Sequence, residues 1–311
     1  MTLCSIPNRL LQKWAAGMSS YIGQDVAQIS SNGKEAPSCR LLLTDPNGKI
    51  TSWIWDSWGF TKEDTDISFV AFGDNLIHEP IYRYGLQNDE SFHFLFQNFK
   101  DILSQSDIAV INQETPLTDN PTLYSDYPRF GTPVQAGQAI ADAGFDIVAC
   151  ATNHALDQGT EGINFTKRFF ESRHITCLGI QSTDEKNDKP YEILERNGIR
   201  FALFNYTYDT NGIKIPEEKK YIVHLLDDEE KIRKDIQAAN SEADFIIIFV
   251  HWGTEYKYQP EKYCIKGGVA DFTVSLTPNG YEITEYSLRP LVITSHGNGK
   301  YTSDFLFSQH P

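Results

Sequence analysis

From Asp66 onward, short runs of apolar and β-branched residues alternate with stretches in which apolar residues recur every three or four positions. The first pattern predicts β-strands, and the second predicts amphipathic α-helices. Their alternation is typical of an α/β sheet rather than of a β-sandwich or a helical bundle. The predicted elements are strands at 67–72, 108–111, 146–149, 175–178 and 245–250, and helices at 92–103, 134–143 and 161–172.

Three further features of the sequence refine this pattern. Gly144 predicts the end of the helix at 134–143, because glycine readily adopts the left-handed conformation of a helix C-cap. Asp227, three residues before Glu230, predicts an acidic capping box at the start of a further helix. The run at 245–250 is wholly apolar, so we expect that strand in the centre of a sheet.

Three β-hairpins are predicted where turn residues separate two extended runs. Asn197-Gly198 is the most characteristic of these turns, because Asn-Gly is the commonest hairpin dipeptide. The paired runs are 39–44 with 49–55, 191–196 with 199–206, and 269–276 with 281–288.

Residues 1–65 differ in character from the rest of the chain, because Trp53, Trp55 and Trp58 are three of its five tryptophans. Apolar residues at helical spacing near the N-terminus predict a helix before the first hairpin. We therefore expect a small N-terminal appendage, made of a helix and a tryptophan-rich β-hairpin, followed by a main domain at 66–311. Trp53 and Trp55 lie on one face of their predicted strand, where they either pack onto a neighbouring domain or bind a sugar or peptide.

The composition is that of an ordinary globular protein, with 40% hydrophobic and 22% charged residues in 311. The formal net charge is −15, from 27 Lys and Arg against 42 Asp and Glu. A field of this sign repels phosphate backbones and anionic lipids. Nucleic acid and direct insertion into a membrane are therefore not expected for the chain as written.

The cysteines point to neither a zinc site nor a disulfide framework, because they are odd in number and lack a C-x-x-C spacing. We expect mostly buried thiols. The N-terminus shows no signal peptide, and no run approaches the ~18 apolar residues of a membrane span. The compartment stays unknown at this stage. The cysteines are Cys4, Cys39, Cys150, Cys177 and Cys264.

Polar residues follow four of the predicted strands at the point where each strand ends. They include Asp74, Glu114, the pair Asn153 and His154, and His251. Taken singly, each has an ordinary explanation as a helix cap or a hydrogen-bonded loop residue. In open α/β sheets, however, ligands bind beyond the carboxyl ends of the strands, where such residues meet. Together they predict an oxygen and imidazole cage suited to Mn, Zn, Fe or Mg.

A divalent cation in such a cage polarises a phosphoryl or carbonyl oxygen and lowers the pKa of a bound water, while a nearby histidine protonates the leaving group. Other common chemistries lack their sequence signatures. No G-x-G-x-x-G follows a strand, and no G-x-x-x-x-G-K-S/T is present. No G-x-S-x-G elbow is present either.

Five segments of the chain resemble the CapA family of capsule or poly-γ-glutamate synthesis proteins, and they occur in the family's order. The resemblance covers roughly residues 66–311. It implies a metallophosphatase-like fold, a two-sheet sandwich flanked by helices on both outer faces (αββα). The segments are FGDNLIH from Phe72, INQETPLT from Ile111, GFDIVACATNHALDQGTEGI from Gly144, YTYDTNG from Tyr206 and HWGTEY from His251.

The resemblance implies a role for each candidate residue. Asp74, Glu114, Asn153 and His251 would hold metal, and His154 would be the catalytic proton donor. Substrate contacts are expected from Asn75, His78, Asn112, Glu255 and Tyr206.

Asp157, three residues after His154, allows two explanations. Its carboxylate either orients the His154 imidazole, or it belongs to the start of the next helix with Thr160 as the cap.

The resemblance also implies a biological setting, in which an anionic surface polymer is made or exported with other capsule-assembly proteins at the cell surface, outside the cytoplasm. The chain departs from the pattern of the superfamily at two places, where Leu76 stands in place of the usual histidine and Glu114 follows Gln113 in place of Asp after Gly. It departs from the CapA family at a third place, because a segment that carries a histidine pair is missing near 264–267. Two hypotheses remain open: a metal-dependent hydrolase acting on a phosphoester or amide, and a non-catalytic binding or scaffold protein.

Overall fold

The structure is a computed structural model, and it divides into two compact units. The smaller comprises Met1–Ile67, Asn197–Ile199 and Thr273–Glu285, and the larger comprises the rest of the chain. The domain boundary expected near residue 65 stays a prediction. The residues described are 28–31, 39–44, 50–56, 59–63, 66–184, 189–215, 217–253, 269–277, 280–289, 291–295 and 301–305.

The smaller unit contains a four-stranded antiparallel sheet in the order β1-β2-β3-β4, where the strands are β1 (Gln28–Ser31), β2 (Cys39–Thr44), β3 (Ile50–Asp56) and β4 (Gly59–Glu63). The first predicted hairpin corresponds to β2 and β3, with Thr44 opposite Ile50. The helix predicted near the N-terminus lies outside the described residues.

Between residues 67 and 251, helices separate the strands or groups of strands, in line with the α/β pattern of the sequence. The helices are α1 (Glu79–Gln87), α2 (Lys100–Gln105), α3 (Val134–Ala143), α4 (Gly159–Glu171) and α5 (Glu229–Ala239). The strands are β5 (Ile67–Asp74), β6 (Ile108–Asn112), β7 (Leu117–Thr118), β8 (Thr132–Pro133), β9 (Ile147–Ala149), β10 (Thr176–Leu178), β11 (Tyr191–Arg196), β12 (Ile199–Thr207), β13 (Phe245–His251), β14 (Val269–Thr277), β15 (Gly280–Arg289), β16 (Leu291–Ser295) and β17 (Tyr301–Phe305).

The first sheet of the larger unit contains four parallel strands in the order β10-β9-β6-β5. Its strands are short apolar runs, as expected when both faces of a parallel sheet are covered. Val70 and Phe72 of β5 belong to one buried core with Leu103 of α2, Ile140 of α3 and Phe170 of α4. Helices therefore cover one face of this sheet.

The second sheet has the order β11-β12-β13, and β12 and β13 are parallel. Phe204 of β12 packs in a separate core with Ile232 and Ile236 of α5. On the opposite face, Phe201 of β12 meets Phe69 of β5 edge to face at 5.1 Å between ring centroids. The two sheets thus face each other with helices outside both, which confirms the expected αββα sandwich.

The helix predicted at 92–103 is wrong over most of its length. The chain instead forms two 3-10 turns, His93–Leu95 and Gln97–Phe99, before α2 begins. Three successive residues, Phe94, Leu95 and Phe96, are all buried. Neighbours in sequence point in different directions on an α-helix, so one helical face cannot bury all three.

Two further predictions need correction. The strand predicted in the centre of a sheet, now β13, lies at the edge of the second sheet among the described strands, and its Ile248 is 40% exposed. The N-cap of α5 is Asp228 rather than Asp227, because the Asp228 carboxylate accepts from Lys231 N at 2.9 Å. The end of α3 is as predicted, since Gly144 follows it with φ 93°.

In the part of the chain that the structure describes, no helix combines the length and the apolar character that crossing a membrane requires.

Candidate functional site

A cavity of about 690 Å³ opens where the strands of both sheets end. Asp74 is the last residue of β5, Glu114 follows β6, and Asn153 and His154 follow β9. His251 ends β13 in the second sheet. All five line the cavity, so the structure brings together the residues that the strand ends predicted. Parallel strands deliver them to one edge because their carboxyl ends coincide.

The imidazole of His251 lies at the centre of this group. Its Nε2 is 2.9 Å from Asn153 Oδ1 and 3.8 Å from Glu114 Oε1. Its Nδ1 is 3.6 Å from Asp74 Oδ1. Since an amide oxygen only accepts hydrogen bonds, Nε2 carries a proton and donates it to Asn153.

Asn112 and His251 set the charge state of Asp74. The Asn112 amide donates to Asp74 Oδ1 at 2.7 Å. Burial alone would raise the pKa of Asp74, but the contact and charge of His251, together with the Asn112 hydrogen bond, lower it. Burial alone would likewise lower the pKa of His251, but Asp74 and the charge of Glu114 raise it. The two carboxylates therefore favour protonation of the His251 imidazole, and burial opposes it.

The second histidine of the cavity, His154, is held by a carboxylate. Asp157 Oδ2 lies 2.7 Å from His154 Nδ1 and also accepts from Phe130 N at 2.8 Å. A carboxylate only accepts, so the proton of the ring sits on Nδ1 and Nε2 is left for a ligand. Helix α4 begins two residues after Asp157, and its N-cap is Gln158 and not Thr160. Of the two explanations for Asp157, the geometry favours the one in which its carboxylate orients the His154 imidazole.

A second histidine–carboxylate pair lies beside the first. Asp126 Oδ1 is 2.7 Å from His78 Nδ1, and Asp126 Oδ2 accepts from Glu79 N at the start of α1. The ring of Phe130 meets both histidines edge to face, His78 at 5.2 Å and His154 at 4.8 Å between centroids. The loop carrying Asp126 and Phe130 thus contacts both imidazoles.

Asn205 of β12 links the two sheets under the cavity. Its Oδ1 accepts from Ala151 N at 2.6 Å, and its Nδ2 donates to Phe249 O of β13 at 3.3 Å. Ala151 precedes Asn153 by two residues, and Phe249 precedes His251 by two. One buried amide therefore sets the distance between the segments that carry the Asn153–His251 contact.

The five residues expected to contact substrate lie in different places. Asn112 and His78 line the cavity. Asn75 is buried and donates to Gln113 Oε1 at 2.7 Å, and it does not line the cavity. Glu255 lies outside the described residues.

Tyr206 was expected in the cavity wall, but it packs with Phe204 in the core under α5. Side chains alternate along a strand, so Asn205 and Tyr206 point to opposite faces of β12. The wall position belongs to Tyr208, which lines the cavity.

A divalent cation was also expected here. The donor set suits such an ion in kind, since two carboxylates and an amide oxygen each lie within 3.8 Å of the His251 imidazole. Within the described ranges, however, no three His, Cys, Asp or Glu side chains converge as a metal-binding group.

Sequence reasoning missed Asn205, Asp126 and Phe130. Asn205 had a usable signal, because it is the only amide in the otherwise apolar run of β12. Asp126 and Phe130 lie in a loop without periodicity, and nothing in the sequence indicates which histidine such a loop approaches.

Comparison with known proteins gives three kinds of match. Residues 68–268 match the family described as "Bacterial capsule synthesis protein PGA_cap". The PGA biosynthesis protein CapA of Bacillus subtilis (strain 168) is 25% identical over 257 residues, which is 80% of this chain and 65% of that protein. The capsule biosynthesis protein CapA of Bacillus anthracis is 23% identical over 266 residues, covering 80% of this chain and 61% of that protein.

The chain thus spans about two thirds or less of the length of these relatives. Among solved structures, Haemophilus influenzae NAD nucleotidase matches with a TM-score of 0.41 at 13% identity, over 76% of this chain and 53% of that one.

Proposed function

The chain belongs to the family of bacterial capsule synthesis proteins, and on that basis we propose that it is a metal-dependent hydrolase or transferase of capsule or poly-γ-glutamate synthesis. The reaction is cleavage or transfer at a phosphoester or an amide. The cleaved bond belongs to the surface polymer or its precursor.

One observation carries this proposal, the meeting of Asp74, Glu114, Asn153, His154 and His251 in one cavity. These residues come from four strand ends and two sheets, and Glu114, Asn153 and His154 are buried. Burying polar groups in this way is unfavourable unless they are paired, so an arrangement of paired and ligand-ready groups is typical of a functional site.

Each residue then has a stated task. Asp74, Glu114, Asn153 and His251 would hold a divalent cation, which polarises a phosphoryl or carbonyl oxygen when bound. His154 protonates the leaving group through Nε2, because Asp157 holds its Nδ1–H. Asp157 keeps that ring in one orientation, as a carboxylate does in other histidine–carboxylate pairs.

The test combines metal analysis of the purified chain with hydrolysis of a phosphomonoester and of a γ-glutamyl amide. Asp74→Ala is expected to lose bound metal and to lower hydrolysis by about 100-fold or more, since even the hydrogen-bond partners of metal ligands commonly contribute 10–100-fold. Asp184→Ala is the matched control, because Asp184 is an exposed carboxylate paired only weakly with Arg168 at 3.5 Å. Wild-type protein with no metal and no hydrolysis of either substrate would contradict the proposal.

A specific observation favours a second candidate, a non-catalytic binding or scaffold protein. The Asn153 oxygen and His251 Nε2, both expected as metal ligands, are bonded to each other at 2.9 Å. In this case capsule fragments bind equally well to wild type and Asp74→Ala, and no turnover is seen with either. Equal binding without turnover would support the scaffold, and turnover that needs Asp74 would exclude it.

We also propose that the protein works with other capsule-assembly proteins, outside the cytoplasm and at the cell surface, and the family match supports this setting. The net charge of −15 opposes a direct grip on an acidic polymer. A bridging divalent cation offsets this repulsion, so binding of poly-glutamate fragments is expected to need added metal and to fail in a chelator.

A further inference from the structure

The residues at the mouth of the 690 Å³ cavity are far more exposed than those on its floor. The floor residues Glu114 and His154 are 7% and 5% exposed. At the mouth, Tyr127 is 66% exposed and Trp252 is 50% exposed, and Tyr208 is 43% exposed. We refer to Tyr127, Tyr208 and Trp252 as the aromatic rim.

An aromatic rim of this kind is unfavourable in water. Each such side chain presents up to about 150–250 Å² of largely apolar surface, and covering that surface contributes roughly 25 cal/mol per Å². Exposed apolar groups gathered at one cavity are typical of a ligand-binding surface rather than of chance exposure. A cavity of this volume also exceeds what a phosphate or a metal requires and lies in the range of small organic ligands.

The polar groups just inside the rim favour one class of ligand. The side chain of Asp74 is 52% exposed, and its carboxylate can only accept hydrogen bonds. Asn112 donates to Asp74 through Nδ2, which leaves its carbonyl oxygen as a further acceptor. Acceptors of this kind pair with hydroxyl groups and repel an anionic ligand face.

We propose that the aromatic rim binds the apolar face of a sugar ring whose hydroxyls donate to Asp74 and Asn112, so that the ligand is a glycan or a sugar phosphate. This inference rests on the proposed function, because it names the substrate class of the same cavity. The ring covers aromatic surface at the mouth, and the bond to be cleaved lies over the histidines on the floor.

Binding is tested without relying on turnover, by ligand-observed NMR titration of the whole chain. The probes are methyl glucoside, methyl N-acetylglucosaminide, adenosine and glycerol. We expect both glycosides to bind at least about tenfold more tightly than glycerol. Tyr127→Ala and Trp252→Ala are expected to weaken glycoside binding about tenfold, the effect of losing one good aromatic contact. Tyr286→Ala is the matched control, since Tyr286 is 81% exposed and lies outside the cavity.

Each outcome decides the matter. Glycosides that bind no better than glycerol, or that lose equal affinity in Tyr127→Ala and Tyr286→Ala, overturn the inference. Adenosine binding more tightly than both glycosides overturns the assignment to a sugar and indicates a nucleobase. Glycoside binding that depends on the rim, together with no hydrolysis of any phosphoester or amide, supports the inference and contradicts the proposed enzyme. Hydrolysis that is equally efficient for glucose 1-phosphate and glycerol 1-phosphate contradicts the inference alone.

Discussion

The two histidine–carboxylate pairs of the cavity share their chemistry and differ in their surroundings. His154 with Asp157 and His78 with Asp126 both have an Nδ1–Oδ distance of 2.7 Å. Both imidazoles meet the edge of Phe130. The side chains of the first pair are 6% and 0% exposed, whereas those of the second are 49% and 28% exposed.

This comparison shows that distance alone does not determine what a polar contact contributes. Water competes for an exposed pair and screens its charges, so such pairs contribute about 0–1 kcal/mol. A buried pair has no such competitor, and removal of one partner leaves the other without compensation. We therefore expect the His154 pair to hold a fixed geometry and the His78 pair to adjust to whatever binds.

The largest expected difference between the pairs is in catalysis. His154→Ala is expected to lower hydrolysis by about 10²–10⁴-fold, the usual contribution of a general acid. His78→Ala removes only an exposed contact and is expected to act mainly on KM. Steady-state kinetics of both variants measure this, and equal losses of kcat would remove the distinction between the two histidines.

The next difference is in stability. Asp157→Ala leaves the His154 imidazole and Phe130 N without their acceptor, so the free energy of unfolding is expected to fall by about 3 kcal/mol or more. Asp126→Ala is expected to cost about 1 kcal/mol, from the exposed pair and the contact with Glu79 N. Urea unfolding compares the two. The loss of unfolding free energy in Asp157→Asn, which keeps an accepting oxygen, is expected to lie between the losses in Asp157→Ala and Asp126→Ala. A loss in Asp126→Ala as large as that in Asp157→Ala would contradict the comparison.

A third histidine extends the comparison to a ring that forms no ion pair with a carboxylate among the described residues. Burial first, and then the charges of Lys231 and Lys167, lower the pKa of His224 to about 4. Above pH ~6.5 the ring is neutral in both the folded and the unfolded chain. As the pH falls toward 4, the unfolded chain takes up a proton that the folded chain excludes, so stability falls by up to about 3 kcal/mol.

Urea unfolding at pH 7 and pH 4.5 measures this loss. In His224→Gln the loss over the same interval is expected to be smaller, because residue 224 no longer titrates. An identical loss in wild type and variant would show that His224 does not carry it.

The smallest effect concerns Phe130, which touches both pairs. An edge-to-face aromatic contact contributes about 0.5–1.5 kcal/mol beyond burial. Double-mutant cycles with Phe130→Leu are expected to give a coupling energy near 1 kcal/mol with His154 and a smaller one with His78. Equal coupling energies would mean that exposure does not distinguish the two contacts.

The sequence predicts the fold correctly where the conformation that a segment prefers locally is also the one that packing in the whole domain requires. The bounds of α3 and the cap at Gly144 follow from periodicity and from glycine's access to positive φ, both of which are local properties. The strand ends that carry Asp74, Asn153 and His251 were found because a polar residue after an apolar run is visible in one dimension. The αββα arrangement itself came from resemblance to a family.

The predictions fail where tertiary packing, rather than the local sequence, determines the conformation or the direction of a side chain. The run 92–103 looks helical, but burial of successive side chains such as Phe94 and Leu95 selects 3-10 turns. Both faces of β12 are covered, so apolar residues occur at both odd and even positions of the strand. The hydrophobic pattern therefore cannot show that Asn205 faces the cavity while Tyr206 faces α5. Asp126 meets His78 only because a loop folds back, which no periodicity records.

Gly179 shows how far the requirements of the cavity reach into the molecule. It has φ 81°, and a Cβ there would lie 2.3 Å from the Asn205 oxygen and 2.5 Å from the Ala151 side chain. Any larger residue must displace the amide that spans the sandwich. If every residue is substituted in turn, position 179 is therefore expected to tolerate substitution as poorly as the histidines do, although Gly179 touches no ligand. Loss of function at this position alone would then be mistaken for evidence of a catalytic role.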